Sequence, residues 1–320
     1  MSTDPQWSVV PLPDAERLGS LDTIRGVAVL GIQAMNIRNF ALPLGEFDNP
    51  RWPRGAAAEG VATTLAPADF WTWVVTNALF EDKMITIFGL LFGAGVVVFG
   101  DRIDRAAREA RERGVADGSA LGSVWRSTIP HYRRMFWLLV IGLLHAYLLW
   151  QGDILNTYAL CGLVIWPLRR LRPGVLIGVG VLCLLVTVWW RVGPGWWDML
   201  VRDPGTPTPA RAPSLGRQIF AEAIRTEEAA YRGVWLDLFW WRAHLNTAWH
   251  FIAGVEFTLW RSLGQMLIGM GLMRLGMFAG TWRVGGYVGL ALAGYGLGLT
   301  LSLIHISEPT RLRRISYAVF

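Results

Sequence analysis

Apolar residues run through this chain in long blocks separated by short polar turns. Seven blocks, 23–42, 84–100, 135–150, 154–168, 174–190, 254–278 and 284–304, approach the ~20 residues that a helix needs to cross ~30 Å of hydrocarbon. The pattern predicts an all-α fold, a polytopic integral membrane helix bundle with seven visible spans. Residues Ala68 to Phe80 form a shorter, Trp-rich block that reads either as an interfacial helix or as the first half of a long second span, with Glu81, Asp82 and Lys83 at the junction. A Pro-rich stretch after 200 leads to Ser214, a suitable N-cap for a helix carrying Leu215, Ile219, Ala223 and Ile224 on one face.

Composition supports the membrane reading. Of 320 residues, 53% are hydrophobic and 17% charged, against ~25% charged in an average soluble domain, and the mean hydropathy is +0.35. Cys161 and Cys183 both lie inside apolar blocks, which argues against a disulfide framework and a cysteine zinc site. Trp71, Trp73, Trp150, Trp189, Trp190 and Trp260 fall near span ends, where indole rings anchor at the interface.

Charge orients the bundle. The net charge is +6, with Lys83 the single lysine among 30 basic residues. Eight arginines lie between Asp101 and Arg134, and Arg169, Arg170 and Arg172 follow the fourth block. These basic loops flank apolar blocks and lack interleaved aromatics, so they read as cytoplasmic retention signals and not as a nucleic-acid surface. The expected organisation is a cytoplasmic leader (1–20), a transmembrane domain (21–301) and a C-terminal tail (302–320). Within the domain, loop 101–134 is cytoplasmic, while segment 43–83, the turn Gln151-Gly152-Asp153 and loop 191–253 are external. Asp4, Asp14 and Glu16 argue against a cleaved signal peptide.

Polar groups inside spans are candidates for function, because hydrocarbon does not tolerate them alone. At 100° per residue, Asp22, Arg25, Gln33, Asn36 and Asn39 fit one 120° arc of the first span. Such a stripe either lines a substrate path or bridges helices through a structural Asp22/Arg25 pair. Lys83 precedes a helix in which Gly89 and Gly93 make a small-xxx-small contact face, and its ammonium either snorkels to the interface or lines the path. The hairpin from His145 to Tyr158 gathers His145, Asp153, Asn156 and Tyr158. There His145 could act as a general base oriented by Asp153, or the same groups could only fix the turn. His244 and His250 are six residues apart, unlike a helical zinc pair, and no metal site is expected.

Three motifs carry a family resemblance: Ser20-Leu-Asp22-Thr-Ile-Arg25-Gly26 through Asn36, Phe80-Glu-Asp-Lys83 through Gly95, and the hairpin from His145 to Tyr158. Together and in this order they resemble the bacterial DUF418 (YeiB-like) membrane proteins, over most of residues 17–300. That family is similar to the broad transmembrane acyltransferase superfamily, which shares the Leu-Asp-x-x-Arg-Gly opening. The resemblance implies a multi-pass protein of the bacterial plasma (inner) membrane, working in the lipid bilayer, and the arginine placement gives it a cytoplasmic N-terminus. It implies acyl transfer from a cytosolic donor to a small-molecule, glycan or lipid acceptor at the outer face, with no tightly bound cofactor and acyl-CoA as co-substrate. Asp22, Arg25, Asn36, Lys83 and Tyr158 would bind substrate, and His145 with Asp153 would move the proton. Superfamily members that modify surface polysaccharide tend to carry His eleven residues after the motif arginine, where this chain has Asn36; the amide is no base, so His145 takes that place. The alternative readings are a transporter of a small metabolite or lipid and a non-catalytic assembly factor. Residues 302–320 resemble translated sequencing-adapter read-through and are expected to be non-native, with further spans expected in the natural protein.

Overall fold

The structure, a computed structural model, describes residues 19–41, 44, 67–114, 120–201 and 215–307. Those residues are helical with short turns, and no strand occurs among them. The helices are α1 (Gly19–Ala41), α2 (Pro67–Leu79), α3 (Lys83–Glu112), α4 (Ala120–Leu144), α5 (Leu155–Ile165), α6 (Pro173–Val201), α7 (Leu215–Arg232), α8 (Trp235–Ala248), α9 (Leu259–Arg274) and α10 (Val284–Ser307). Two π-helical stretches, His145–Leu149 and Trp249–Thr258, continue α4 and precede α9.

Each of the seven apolar blocks overlaps a helix, although 254–278 begins in the second π stretch and ends in the turn after α9, and 154–168 runs past the end of α5. Three stretches, Trp71–Glu109, Thr128–Leu149 and Pro173–Trp190, are long and apolar enough to cross a membrane, and Leu155–Ile165 and Val284–Thr300 are shorter apolar helices. α1 carries Asp22, Arg25 and Arg38 among its 23 residues, and α9 carries Arg261 and Arg274 in only 16. Outward faces of α4 and α6 expose Phe136, Trp137, Ile141, Val181, Leu182 and Leu185, as lipid-facing helices do. Several helices are thus long and apolar enough to span a membrane, consistent with a membrane protein.

α9 is the centre of the bundle, packed between α3 and α6. Without water, helices associate through close backbone approach rather than the hydrophobic effect. Glycines supply that approach on both sides of α9. A Cβ at Gly93 of α3 would strike the Met266 backbone, one at Gly269 would strike Leu90, and one at Gly264 would lie 2.7 Å from the Gly180 carbonyl of α6. Around this crossing lies the core of Val96, Val97, Tyr158, Ile165, Leu176 and Met270. α1 joins along Leu21, Ala28 and Met35; this packed face lies beside its polar stripe, of which Asp22, Arg25 and Gln33 are exposed.

The junction between α2 and α3 is a turn, Phe80–Asp82, with Asp82 at φ 58°, a left-handed conformation that Asp tolerates better than most residues. Its charges are each engaged. Arg38 pairs with Glu81 at 3.1 Å, Arg261 with Asp82 at 2.7 Å, and Lys83 donates to the Asn77 carbonyl at 3.0 Å. The stretch expected as external loop 191–253 is largely helical: α6 runs to Val201, and α7 and α8 form a pair closed by Trp241, whose Nε1 donates to the Ala223 carbonyl at 3.0 Å. α7 starts at Leu215, and its proposed cap Ser214 lies outside the described residues. The expected tail begins within α10, which is helical to Ser307; 308–320 and the leader to residue 18 lie outside the described residues.

Candidate functional site

The site is built where α4 loses its regular pitch. At its end the backbone widens to π geometry, with the Trp150 N–H donating to the His145 carbonyl at 2.9 Å. Such breaks free carbonyls and recur at functional sites. α8 satisfies the freed groups: Asn246 Nδ2 donates to the Ala146 carbonyl at 2.6 Å and Arg242 Nη1 to that of Leu148 at 3.0 Å. Opposite, a Cβ on Gly142 would lie 2.5 Å from the Asn156 nitrogen, so only glycine lets α4 and α5 close so tightly.

That closure brings His145 and Asp153 together. His145 Nδ1 donates to Asp153 Oδ2 at 2.7 Å, and the other carboxylate oxygen, Oδ1, accepts from the Asn156 N–H at 3.2 Å. The Asp153 side chain is 1% exposed and the imidazole 35%. With Nδ1 committed as donor, the neutral ring presents Nε2 as a lone pair, the state a general base requires. The Trp150 ring lies edge-on to the imidazole with centroids 6.2 Å apart, and Phe40 at the end of α1 packs on Trp150 at 4.9 Å.

Behind this pair runs a second polar chain that sequence reasoning did not find. His250 Nδ1 donates to the Asn246 carbonyl at 2.7 Å, leaving Nε2 to accept from the Asn156 amide. Asn156 Oδ1 accepts from the Thr157 hydroxyl at 3.1 Å. Burial is the main cause holding His250 below the usual imidazole value, so it stays neutral. Asn156 and Asn246 are 1% and 0% exposed, and Asn246 Oδ1 has no hydrogen-bond partner.

The other expected site residues lie elsewhere. Tyr158 is 1% exposed, stacked on Phe88 and edge-on to Phe92, with its hydroxyl donating to the Ile85 carbonyl at 3.1 Å. It is a core residue. Lys83 caps α2, and Asn36 is half-buried on α1. Asp22 and Arg25 pair at 3.2 Å at the opposite end of the bundle, in the wall of a cavity of about 930 Å³. His131, also on that wall, is fourteen residues before His145, which is about 21 Å along α4. It is 2% exposed, donates to the Gly162 carbonyl at 2.9 Å and stacks on Trp166. Nothing in the sequence flags it.

Arg169, read from sequence as a topology signal, is 5% exposed; it lies over the Trp166 ring and pairs with Asp104 at 3.1 Å. Among the described residues, no group of three or more His, Cys, Asp or Glu could hold a metal ion.

No family model matches the chain, and no solved structure matches it. It is similar to "Uncharacterized protein YeiB" of Escherichia coli (strain K12), 31% identical over 309 residues, which cover 90% of this chain and 64% of that protein. It is also similar to "Uncharacterized protein YxaH" of Bacillus subtilis (strain 168), 31% identical over 179 residues, 53% of this chain and 37% of that one. A 39.9 kDa Bacillus acidopullulyticus protein from the amylase 3′ region is 28% identical over 55% of this chain and 40% of its own length. The chain thus spans less than two thirds of the length of each of these relatives. The similarity to YeiB over nine tenths of the chain is consistent with a YeiB-like family.

Proposed function

We propose that this chain forms the acyl-transfer centre of a multi-pass protein of the bacterial plasma membrane, with seven spans, a cytoplasmic N-terminus and the arginine-rich ends of α3 and α4 facing the cytoplasm. The observation that carries the reading is the His145–Asp153 pair. A buried carboxylate holds Nδ1 of a half-exposed imidazole, and Nε2 faces away from it, free to take a proton. In the reaction, Nε2 of His145 removes the proton of an acceptor hydroxyl as its oxygen attacks the thioester carbonyl of acyl-CoA. The C–O bond forms, the C–S bond breaks, and the thiolate leaves with the proton from the imidazolium. The donor enters from the cavity lined by Asp22 and Arg25 and extends its acyl arm toward the hairpin past Phe88. Tyr158, packed on that ring, stands between the two ends, so the acyl arm reaches His145 only when the Tyr158 ring swings aside.

A positioned base contributes about 10²–10⁴-fold to a rate. Membranes carrying the His145→Gln protein should therefore lose labelled transfer from acyl-CoA by about that factor at normal expression. Full activity in His145→Gln overturns the reading. Movement of a solute with no acylated product would favour a transporter instead.

A further inference from the structure

The cavity at the arginine-rich end has a chemistry of its own. Arg25, Arg102, Arg105 and Arg134 line it beside Asp22 and Asp101. Asp22 is engaged by Arg25 and Asp101 by Arg274, at 3.2 and 3.7 Å. Arg102, Arg105 and Arg134 have no carboxylate partner among the described residues, although Arg134 lies over the Phe99 ring at 4.7 Å. Three guanidinium groups held around one space repel one another, and a multiply charged anion relieves that repulsion. Their planar forks match phosphate best.

Apart from His131, the rest of the wall is apolar. Phe88, Phe92, Phe99 and Met135 form a floor that leads from the arginines toward the bundle centre. A free phosphate or a sugar phosphate would leave this floor unused, and a plain fatty chain would leave the arginines unpaired. The volume of about 930 Å³ falls within the ~300–1,000 Å³ usual for small-molecule sites.

We infer that this cavity is a binding site for a phosphate-headed amphiphile, with the head on Arg25, Arg102, Arg105 and Arg134 and the apolar arm on the phenylalanine floor. As the donor site it deepens the acyl-transfer reading and rests on it for that role alone; binding itself does not depend on turnover. The same chemistry comes from a soluble acyl-CoA or from an anionic phospholipid of the adjoining leaflet.

Gly95 offers a probe. A Cβ there meets only an Arg25 nitrogen at 3.7 Å, so Gly95→Cys fits without displacement, and the native Cys161 and Cys183 are buried. In reconstituted vesicles, a charged thiol reagent should label Cys at 95, and palmitoyl-CoA or phosphatidic acid should slow labelling about tenfold, whereas hexadecanol should not. Protection by palmitoyl-CoA alone identifies the soluble source, and protection by phosphatidic acid alone identifies the leaflet. Adding Arg102→Ala and Arg105→Ala should raise the half-protecting concentration about tenfold or more, while Arg108→Ala on the same helix, outside the cavity, should not. Equal protection by hexadecanol, protection unchanged in the double arginine variant, or a residue 95 that never labels would overturn the inference. Protection without any acyl transfer would instead remove the enzyme reading and leave the site standing.

Discussion

Asp153 spends its two carboxylate oxygens on two tasks, one orienting His145 and the other ending the hairpin on the Asn156 N–H. These tasks separate by substitution. Asp153→Asn keeps Oδ1 for the backbone but no longer stabilises an imidazolium, so transfer should fall at least tenfold with little change in thermal unfolding temperature. Asp153→Ala should lose both, since an unmet buried N–H costs about 1–3 kcal/mol. Asn246→Ala strands the Ala146 carbonyl in the same way and should cost a similar ~1–3 kcal/mol in detergent unfolding; an unchanged unfolding temperature would refute the assigned bond. The His145 and Asp153 pairing is legible in the sequence because both lie in one hairpin, eight residues apart. The Asn156 and His250 contact spans 94 residues, and its helical partners pass through a π segment that breaks the 100° count. No periodicity argument reaches across that distance.

At the scale of helices, the crossing of α9 with α3 depends on glycine facing backbone. Gly93→Ala and Gly269→Ala put a methyl against main chain that cannot rotate away, and each should cost about 1–3 kcal/mol, read as early thermal aggregation of detergent-solubilised protein. Gly26→Ala on α1, where a Cβ meets nothing within 4 Å, should be neutral. Equal tolerance at all three positions would contradict the packing. The small-xxx-small spacing of Gly89 and Gly93 shows a contact face in the sequence, but not the partner: spacing gives a stripe, and only the fold says that α9 fills it. The stripe on α1 has the same ambiguity. Its arc of polar residues is real, yet the buried face, Leu21, Ala28 and Met35, lies alongside, because small and apolar side chains set the close approach to α3.

For the whole molecule, hydropathy runs locate the helices well and their ends poorly. Lys83 reads as a path or interface residue, but the positive-φ turn at Asp82 brings it back onto the end of α2. The bundle has an arginine-lined cavity at one end and the His145 hairpin at the other. Reporter fusions at Gly118 and Gly205 test that arrangement: phosphatase activity is expected at Gly205 only, and activity at Gly118 alone would invert the bundle. The most direct test of the central claim is vectorial acyl transfer. Protein reconstituted in one orientation receives labelled acyl-CoA on the side of the arginine-rich ends, and acylated acceptor is measured on the other side. Labelled product is expected there, reduced by about 10²–10⁴-fold in His145→Gln; product formed equally by His145→Gln, or solute flux with no labelled product at all, would contradict acyl transfer by this pair.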